Sequence, residues 1–390
     1  MESRITSSNA LVTILRNKRY LATALVFFSM NVIFSTWAIY IPTIKEKLSI
    51  NEGEIGFAIF FMALGTFIML FTAPLLISKL GVGKATAYGG IVMFIMILIP
   101  FLAPNYFILC LGLLFVGTAL GFTDIAMNTL VTELEKRDDV HVMSAKHGFF
   151  SLGGMIGAGV GTLFLPYVEI PIYHALVVVG LCLIVHLFLM HNYWSVVADA
   201  IEKMQFSFKQ FRPLIWLGII GFFVMASEGA IVDWSALYLE NVSNAPEVYI
   251  GLGLTAFSLT MALGRFAGDG ISSRFGARSI MIVGNMLGVV GFVFILMEST
   301  MLAILGFGLV GLGFSTIVPE LFRLGGKTKG VDSAQGVSFI AGSGFAGFLL
   351  GPVFLGLLAD LSSLKLSFIA LLCFTIIALA SSLKVTTKSR

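Results

Sequence analysis

A few polar side chains stand where the chain is otherwise almost wholly apolar. Asp124 and Asn128 lie in Gly117-Thr-Ala-Leu-Gly121-Phe-Thr-Asp124-Ile-Ala-Met-Asn128, near the end of an apolar run that begins at about Tyr106. Helical spacing sets Gly117, Gly121, Asp124 and Asn128 on one stripe, at steps of four, three and four. Glycines there admit a second helix at close range, and a bilayer makes an ionised aspartate costly. A carboxylate so placed faces water, a partner or a proton pathway. A second group is Glu228-Gly-Ala-Ile-Val-Asp233-Trp234-Ser235-Ala-Leu-Tyr238. Five residues make ~140° of rotation and about 7–8 Å of rise, so Glu228 and Asp233 occupy different helix faces. Ser235 shares the face of Glu228. One acid is expected to look into a cavity and the other into a helix interface.

Weaker candidates flank these. His147 opens a stripe with Ser151, Gly154, Ala158 and Gly161, and an imidazole can titrate near neutral pH. If this run and the preceding one are antiparallel neighbours, Asn128 lies level with His147 and Asp124 with Ser151. The alternative is a histidine at the membrane boundary beside Lys146. Asn31 and Ser35 share a face of the first apolar run, either to hydrogen-bond a polar ligand or to join two helices. Asn31 cannot titrate, which weakens a two-acid proton mechanism. Trp37 reads first as an interfacial anchor and second as a platform for a sugar ring. Arg265, Asp269, Arg274 and Arg278 cluster in one turn, where Arg265 and Asp269 are spaced to pair along a helix face.

The elements that position these groups follow from composition. Hydrophobic residues make up 58% of the 390 and charged residues only 12%, about half the charged share of soluble domains. The mean hydropathy of +0.99 places most of the chain in lipid. Twelve apolar segments are expected near 20–41, 54–78, 85–103, 106–132, 143–168, 171–193, 213–239, 248–273, 279–297, 300–324, 333–359 and 363–383. All read as helices, because backbone crossing lipid must satisfy its own hydrogen bonds and the segments are too long for barrel strands. Pro74, Pro319 and Pro352 fall inside them and should kink them. The net charge of +3 excludes no partner by itself, but nothing resembles a nucleic-acid face. Cys110, Cys182 and Cys373 are isolated and no His-Glu-x-x-His spacing occurs, so no disulfide framework, metal site or cofactor is expected. Gly306-Phe-Gly308-Leu-Val-Gly311 matches a dinucleotide pattern but has no preceding strand, and Gly326-Lys327-Thr328 lacks the first glycine of a phosphate loop.

Placing the N-terminus in the cytoplasm puts 21 of the 24 Lys and Arg residues on that side and leaves Lys45, Lys47 and Lys365 outside. That bias orients the chain with both termini cytoplasmic. A polar linker over 194–212 separates halves 1–193 and 213–390. The halves echo each other: Gly56 to Gly81 and Gly251 to Gly276 are both separated by 25 residues, Ser144-Ala matches Ser333-Ala, and Gly121-Phe matches Gly313-Phe. Two six-helix halves repeated in parallel are one known transporter plan.

The turn Gly264-Arg265-Phe-Ala-Gly268-Asp269-Gly-Ile-Ser-Ser-Arg274-Phe-Gly276-Ala-Arg278 resembles the signature turn of the major facilitator superfamily. Its first-half counterpart, Lys79-Leu-Gly81-Val-Gly83-Lys84, keeps the glycines and basic residues but lacks the aspartate. With the helix count, linker and repeat, the resemblance covers essentially the whole chain. Asp124 to Asn128 and Glu228 to Tyr238 further resemble the fucose–proton symporter-like branch. The resemblance implies an all-α membrane protein of twelve transmembrane helices in the major facilitator fold, with the turn acting as a latch.

The expected function is secondary active transport of a small polar solute, a sugar or an organic acid, by alternating access around a cavity between the halves. Proton-coupled symport is the favoured mechanism, with Asp124 leading, then Glu228 and His147. Asn31, Ser35, Asn128, Asp233 and Trp234 are the substrate-binding candidates. Arg265, Asp269, Arg274 and Arg278 are the gating candidates. The expected partners are solute, protons and the lipid of a bacterial inner membrane, with the protein a monomer. Proton-driven efflux of an amphiphile and a non-transporting sensor with the same fold are the rivals. An enzyme is not expected, since no nucleophile or metal spacing appears.

Overall fold

The computed structural model describes residues 7–138, 140, 142–197, 208–328, 331 and 333–385, and a few helical residues, Ser144 and Asp269 among them, by backbone alone. Twelve helices are long and apolar enough to cross a membrane: spans 1 to 6 are Lys18–Ile39, Glu52–Leu80, Val82–Leu102, Tyr106–Asp138, Ala145–Tyr167 and Pro171–Asn192. Spans 7 to 12 are Phe211–Asn241, Glu247–Gly268, Ala277–Ile295, Thr300–Gly326, Phe339–Leu361 and Leu364–Lys384. Contacts divide the chain into two compact units, Met1–Ile201 and Glu202–Arg390. Most of the expected linker, 198–207, lies outside the described residues.

In the first unit span 4 packs along span 2, and span 5 along span 1. Glycines dictate these pairings. A Cβ on Gly117 would sit 1.8 Å from the Met62 carbonyl oxygen, and one on Gly153 would sit 2.1 Å from that of Phe28. No side chain fits there, so each helix commits its small-residue face to one partner. The condition that would set Asn128 level with His147 is therefore not met: spans 4 and 5 touch only lightly, because their glycine faces are already spent on spans 2 and 1.

The second unit repeats the plan, with span 7 against spans 11 and 12, and span 10 against spans 8 and 9. The equivalence reaches single hydrogen bonds. Thr66 Oγ1 donates to the Gly117 carbonyl at 3.0 Å in the first unit, and Thr260 Oγ1 to that of Gly308 at 2.7 Å in the second.

Pro74 and Pro352 lie inside continuous helices. Span 10 instead breaks into Thr300–Phe314 and Ile317–Gly326 just before Pro319. Proline has no N–H to donate backwards, and the new segment starts with Glu320 N–H donating to Thr316 at 3.2 Å.

Gly81 and Gly276, matched by the sequence repeat, are the positive-φ glycines of the described residues, at +81° and +79°. Each ends one helix and begins the next, with ψ of 143° and 154°. That region is essentially reserved for glycine. Nothing lies within 4 Å of a Cβ built on Gly276, so substitution there meets strain without a clash. Gly276→Ala should destabilise the protein by about 1–3 kcal/mol. Gly180, inside span 6 and equally open, is the control, where alanine should be neutral or stabilising by ~0.5–1 kcal/mol. Thermal unfolding of purified protein distinguishes them, and equal melting temperatures would refute the strain.

Candidate functional site

Span 4 shows how polar groups behave here. Thr118, Thr123, Thr129 and Thr132 each donate to the carbonyl four residues back, at 2.7–2.9 Å, which satisfies a hydroxyl without a second helix. Asp124 has a different arrangement. Asn128 Nδ2 donates to its Oδ1 at 3.0 Å and to its carbonyl oxygen at 2.9 Å. The carboxyl is half-buried, and among the described residues no lysine or arginine pairs with it. Asn128, named from sequence as a substrate contact, spends its amide on orienting Asp124.

In the second unit Glu228 does have a counter-charge. Arg265 Nη2, from span 8, lies 3.9 Å from Glu228 Oε2, with the two side chains 15% and 13% exposed. Arg265 thus reaches a residue on another span, in addition to any pairing along its own helix. The side chain of Asp269 lies outside the described residues. Arg274 is exposed, with its guanidinium over the Phe275 ring at 5.7 Å. Arg278 Nη2 donates to the Leu383 carbonyl at 3.0 Å, tying the start of span 9 to the end of span 12, a favourable place for a cation.

Beyond Glu228, residues 233–239 are all buried. Asp233, Trp234 and Ser235 are 5%, 1% and 1% exposed, and Asp233 Oδ1, Trp234 Nε1 and Ser235 Oγ make no hydrogen bond. Glu228 Oε1 is likewise unpartnered. In span 1, Asn31 Nδ2 donates to the Phe150 carbonyl at 2.9 Å, joining spans 1 and 5, while Ser35 Oγ makes no hydrogen bond. Trp37, expected as an interfacial anchor, is wholly buried against Phe101, with ring centroids 5.8 Å apart. His147 packs edge-on against Phe27 at 5.3 Å, a contact that follows from span 5 lying along span 1.

Two features escaped the sequence reading. Lys146 is completely buried; it bonds Thr23 Oγ1 and lies over the Tyr20 ring at 5.2 Å, while Tyr20 Oη donates to Asp138 at 2.5 Å. Ser272 joins the Glu320–Arg323 pair, whose atoms lie 3.2 Å apart, and Arg323 Nη1 donates to Ser272 Oγ at 2.7 Å. For Lys146 the usable signal was a charge within a turn of an apolar run; the spacing of Glu320 and Arg323 already reads as a structural pair, and only the part of Ser272 in it carries no sequence signal. With Arg265 and Lys146 engaged inside helices, 19 basic residues remain on the inner side of the sequence tally against three.

Lys45, Lys47 and Lys365, the three that the sequence tally sets apart, are structural ties. Lys45 pairs with Glu52 at 2.8 Å, Lys365 pairs with Glu298, and Lys47 donates to the carbonyls of Phe101 and Ala103 at 3.3 Å.

Among the described residues no cluster of His, Cys, Asp and Glu could hold a metal. A family model, Major Facilitator Superfamily, matches residues 20–246 and 217–389. An uncharacterized MFS-type transporter of Yersinia pestis is 31% identical over 365 residues, covering 92% of this chain and 94% of that protein. Membrane protein MosC of Rhizobium meliloti is 27% identical, covering 93% of this chain and 88% of that protein. The crystal structure of the nucleoside transporter NupG is similar at TM-score 0.73 and 12% identity, over 95% of this chain and all of that one. A bacterial homologue of the human lysosomal transporter Spinster matches at 0.69 and 14%, over 98% and 97%. The two structural likenesses carry the fold alone.

Proposed function

Since the chain belongs to the major facilitator superfamily and is thus a multi-pass secondary transporter and not an enzyme, we propose that it carries a small polar solute by proton-coupled symport. The reading rests on one contrast between its intramembrane acids. Glu228 has Arg265 as counter-ion, whereas Asp124 is held by the neutral amide of Asn128. A carboxyl held by an amide can gain or lose a proton without stranding a partner charge. Asp124 is the leading proton carrier, Glu228 the second, and His147 a further candidate. Asn31, Ser35, Asp233 and Trp234 remain the proposed solute contacts, with Asn128 acting mainly through Asp124. Asp269, Arg274 and Arg278 keep a proposed gating role, and Arg265 is assigned to Glu228 first. The fucose symporter likeness is not needed for this reading, which stands on the residues themselves.

The test is uptake into liposomes holding purified protein, with and without an inward proton gradient. Accumulation that a protonophore collapses is expected. Uptake of the same solute to the same level with and without the gradient would remove proton coupling.

The proposed orientation, in a bacterial inner membrane with both termini and the 194–212 linker cytoplasmic, has its own check. Tags at residues 3 and 203 should be protected in intact cells, and a tag at residue 244 labelled. Labelling at 203 would reverse the orientation.

A further inference from the structure

A short helix, Ser7–Arg16, precedes span 1. Its ten residues make about 15 Å, too little to cross a bilayer, which takes ~20 residues. Nor does it continue span 1. Asn17 between them is extended, at φ −116° and ψ 115°, and its side chain accepts from the Arg19 N–H at 2.9 Å to start a new helix at Lys18. The short helix packs on spans 1 and 5 of its own unit.

At about 100° per residue, Ile14, Leu11, Leu15 and Val12 follow one another around ~160° of its surface. The protein covers only one edge of that arc. Ile14 is wholly buried, while Leu11, Val12 and Leu15 are 36%, 45% and 57% exposed. Thr13 lies on the opposite side, and Arg16 borders the arc next to Val12. Arg16, Lys18 and Arg19 are all exposed, and among the described residues no carboxylate forms an ion pair with them.

Helix electrostatics account for part of this charge. Arg16 ends one helix, where a cation is favoured. Lys18 and Arg19 stand in the first turn of the next, where a cation is disfavoured and no acid offsets it. A topology signal asks for basic residues near the end of a span, but not for uncovered apolar side chains beside them. Water is a poor neighbour for the apolar arc, and the lipid interior is a poor neighbour for the cations. The boundary between the two suits both, and an acidic headgroup supplies the missing counter-charge.

We propose that Ser7–Arg16 is a membrane-surface helix that binds acidic phospholipid. Leu11, Val12 and Leu15 enter the acyl edge of the leaflet, and Arg16, Lys18 and Arg19 meet the headgroups. This assignment goes beyond the transporter reading and needs neither solute nor proton coupling. The orientation proposed above puts the helix on the cytoplasmic leaflet.

The test uses the full chain in phosphatidylcholine vesicles with and without phosphatidylglycerol. Cys373, which is exposed, is changed to serine; Cys110 and Cys182 are buried. A bimane probe is attached in turn to Val12→Cys, Thr13→Cys, Leu15→Cys and Leu181→Cys, and doxyl-labelled phospholipid is the quencher. Leu181, 62% exposed on span 6, reports that the chain is folded and inserted. Quenching at residues 12 and 15 should exceed that at residue 13 about twofold or more. Omitting phosphatidylglycerol should lower it at 12 and 15 about twofold or more and leave residue 181 unchanged. Arg16→Gln, Lys18→Gln and Arg19→Gln combined should have the same effect. Equal quenching with and without phosphatidylglycerol, or in the glutamine variant, would overturn the proposal. So would absence of quenching at 12 and 15 with residue 181 quenched, since protein would then cover the arc. Uptake that ignores a proton gradient would leave this helix untouched, and a helix free of lipid would leave the coupling untouched.

Discussion

Asp124→Asn is expected to abolish accumulation of solute against its gradient while exchange of solute across the same membrane continues. The carboxyl and carboxamide have nearly the same shape, and an oxygen remains at residue 124 to accept from Asn128, which now donates at 3.0 Å. What disappears is the ability to change charge. A coupled cycle requires the carrier to load a proton on one side and discharge it on the other. An amide is fixed in the neutral form, equivalent to a carrier that is always loaded. Exchange needs only the loaded form to move in both directions, so it survives. The measurements are proton-driven uptake and counterflow in the same liposome preparation. Accumulation with the parent's pH dependence would make Asp124 a structural residue and shift the proton-carrying role to Glu228.

The way Asp124 is held also shows which information a sequence carries. Within one helix the spacing is decisive: Gly117, Gly121, Asp124 and Asn128 form one stripe in sequence, the glycines meet a second backbone, and the asparagine reaches the aspartate one turn away. The twelve spans and the repeat are legible for a similar reason, since lipid demands long apolar helices and duplication preserves special positions. Gly81 and Gly276 carry that duplication into a shared backbone conformation. Which helix lies against which is written far less clearly. A period of 3.6 identifies a buried face but not its partner, so whether spans 4 and 5 are neighbours stayed open in the sequence, and they pack instead on spans 2 and 1. The same blindness left Glu228 without a cation, because Arg265 reaches it from another span. It also left Lys146 as a boundary charge, when its partners Thr23 and Tyr20 lie 123 and 126 residues earlier. Charges inside apolar runs were visible, while their partners depend on tertiary packing.

Arg265→Gln is expected to destabilise the protein strongly, and addition of Glu228→Gln to restore most of the loss. The two charged groups approach to 3.9 Å, too far for a hydrogen bond but close enough for an ion pair, and both side chains are largely withdrawn from solvent. Removing one member of a buried pair costs about 3–5 kcal/mol, chiefly because the other charge remains without compensation. Glu228 is the member left behind in Arg265→Gln, and its Oε1 already makes no hydrogen bond, so little else in the fold supports the charge. Glutamine at 228 removes that charge and keeps the length of the side chain. The double variant should therefore be more stable than Arg265→Gln alone, and the mutant cycle should show a coupling of roughly 1–3 kcal/mol. Unfolding of the parent, both single variants and the double variant in one detergent gives all four corners. If the double variant is no more stable than Arg265→Gln, the approach of the two side chains carries no energy, and Glu228 must be treated like Asp124, as an acid without a working counter-ion.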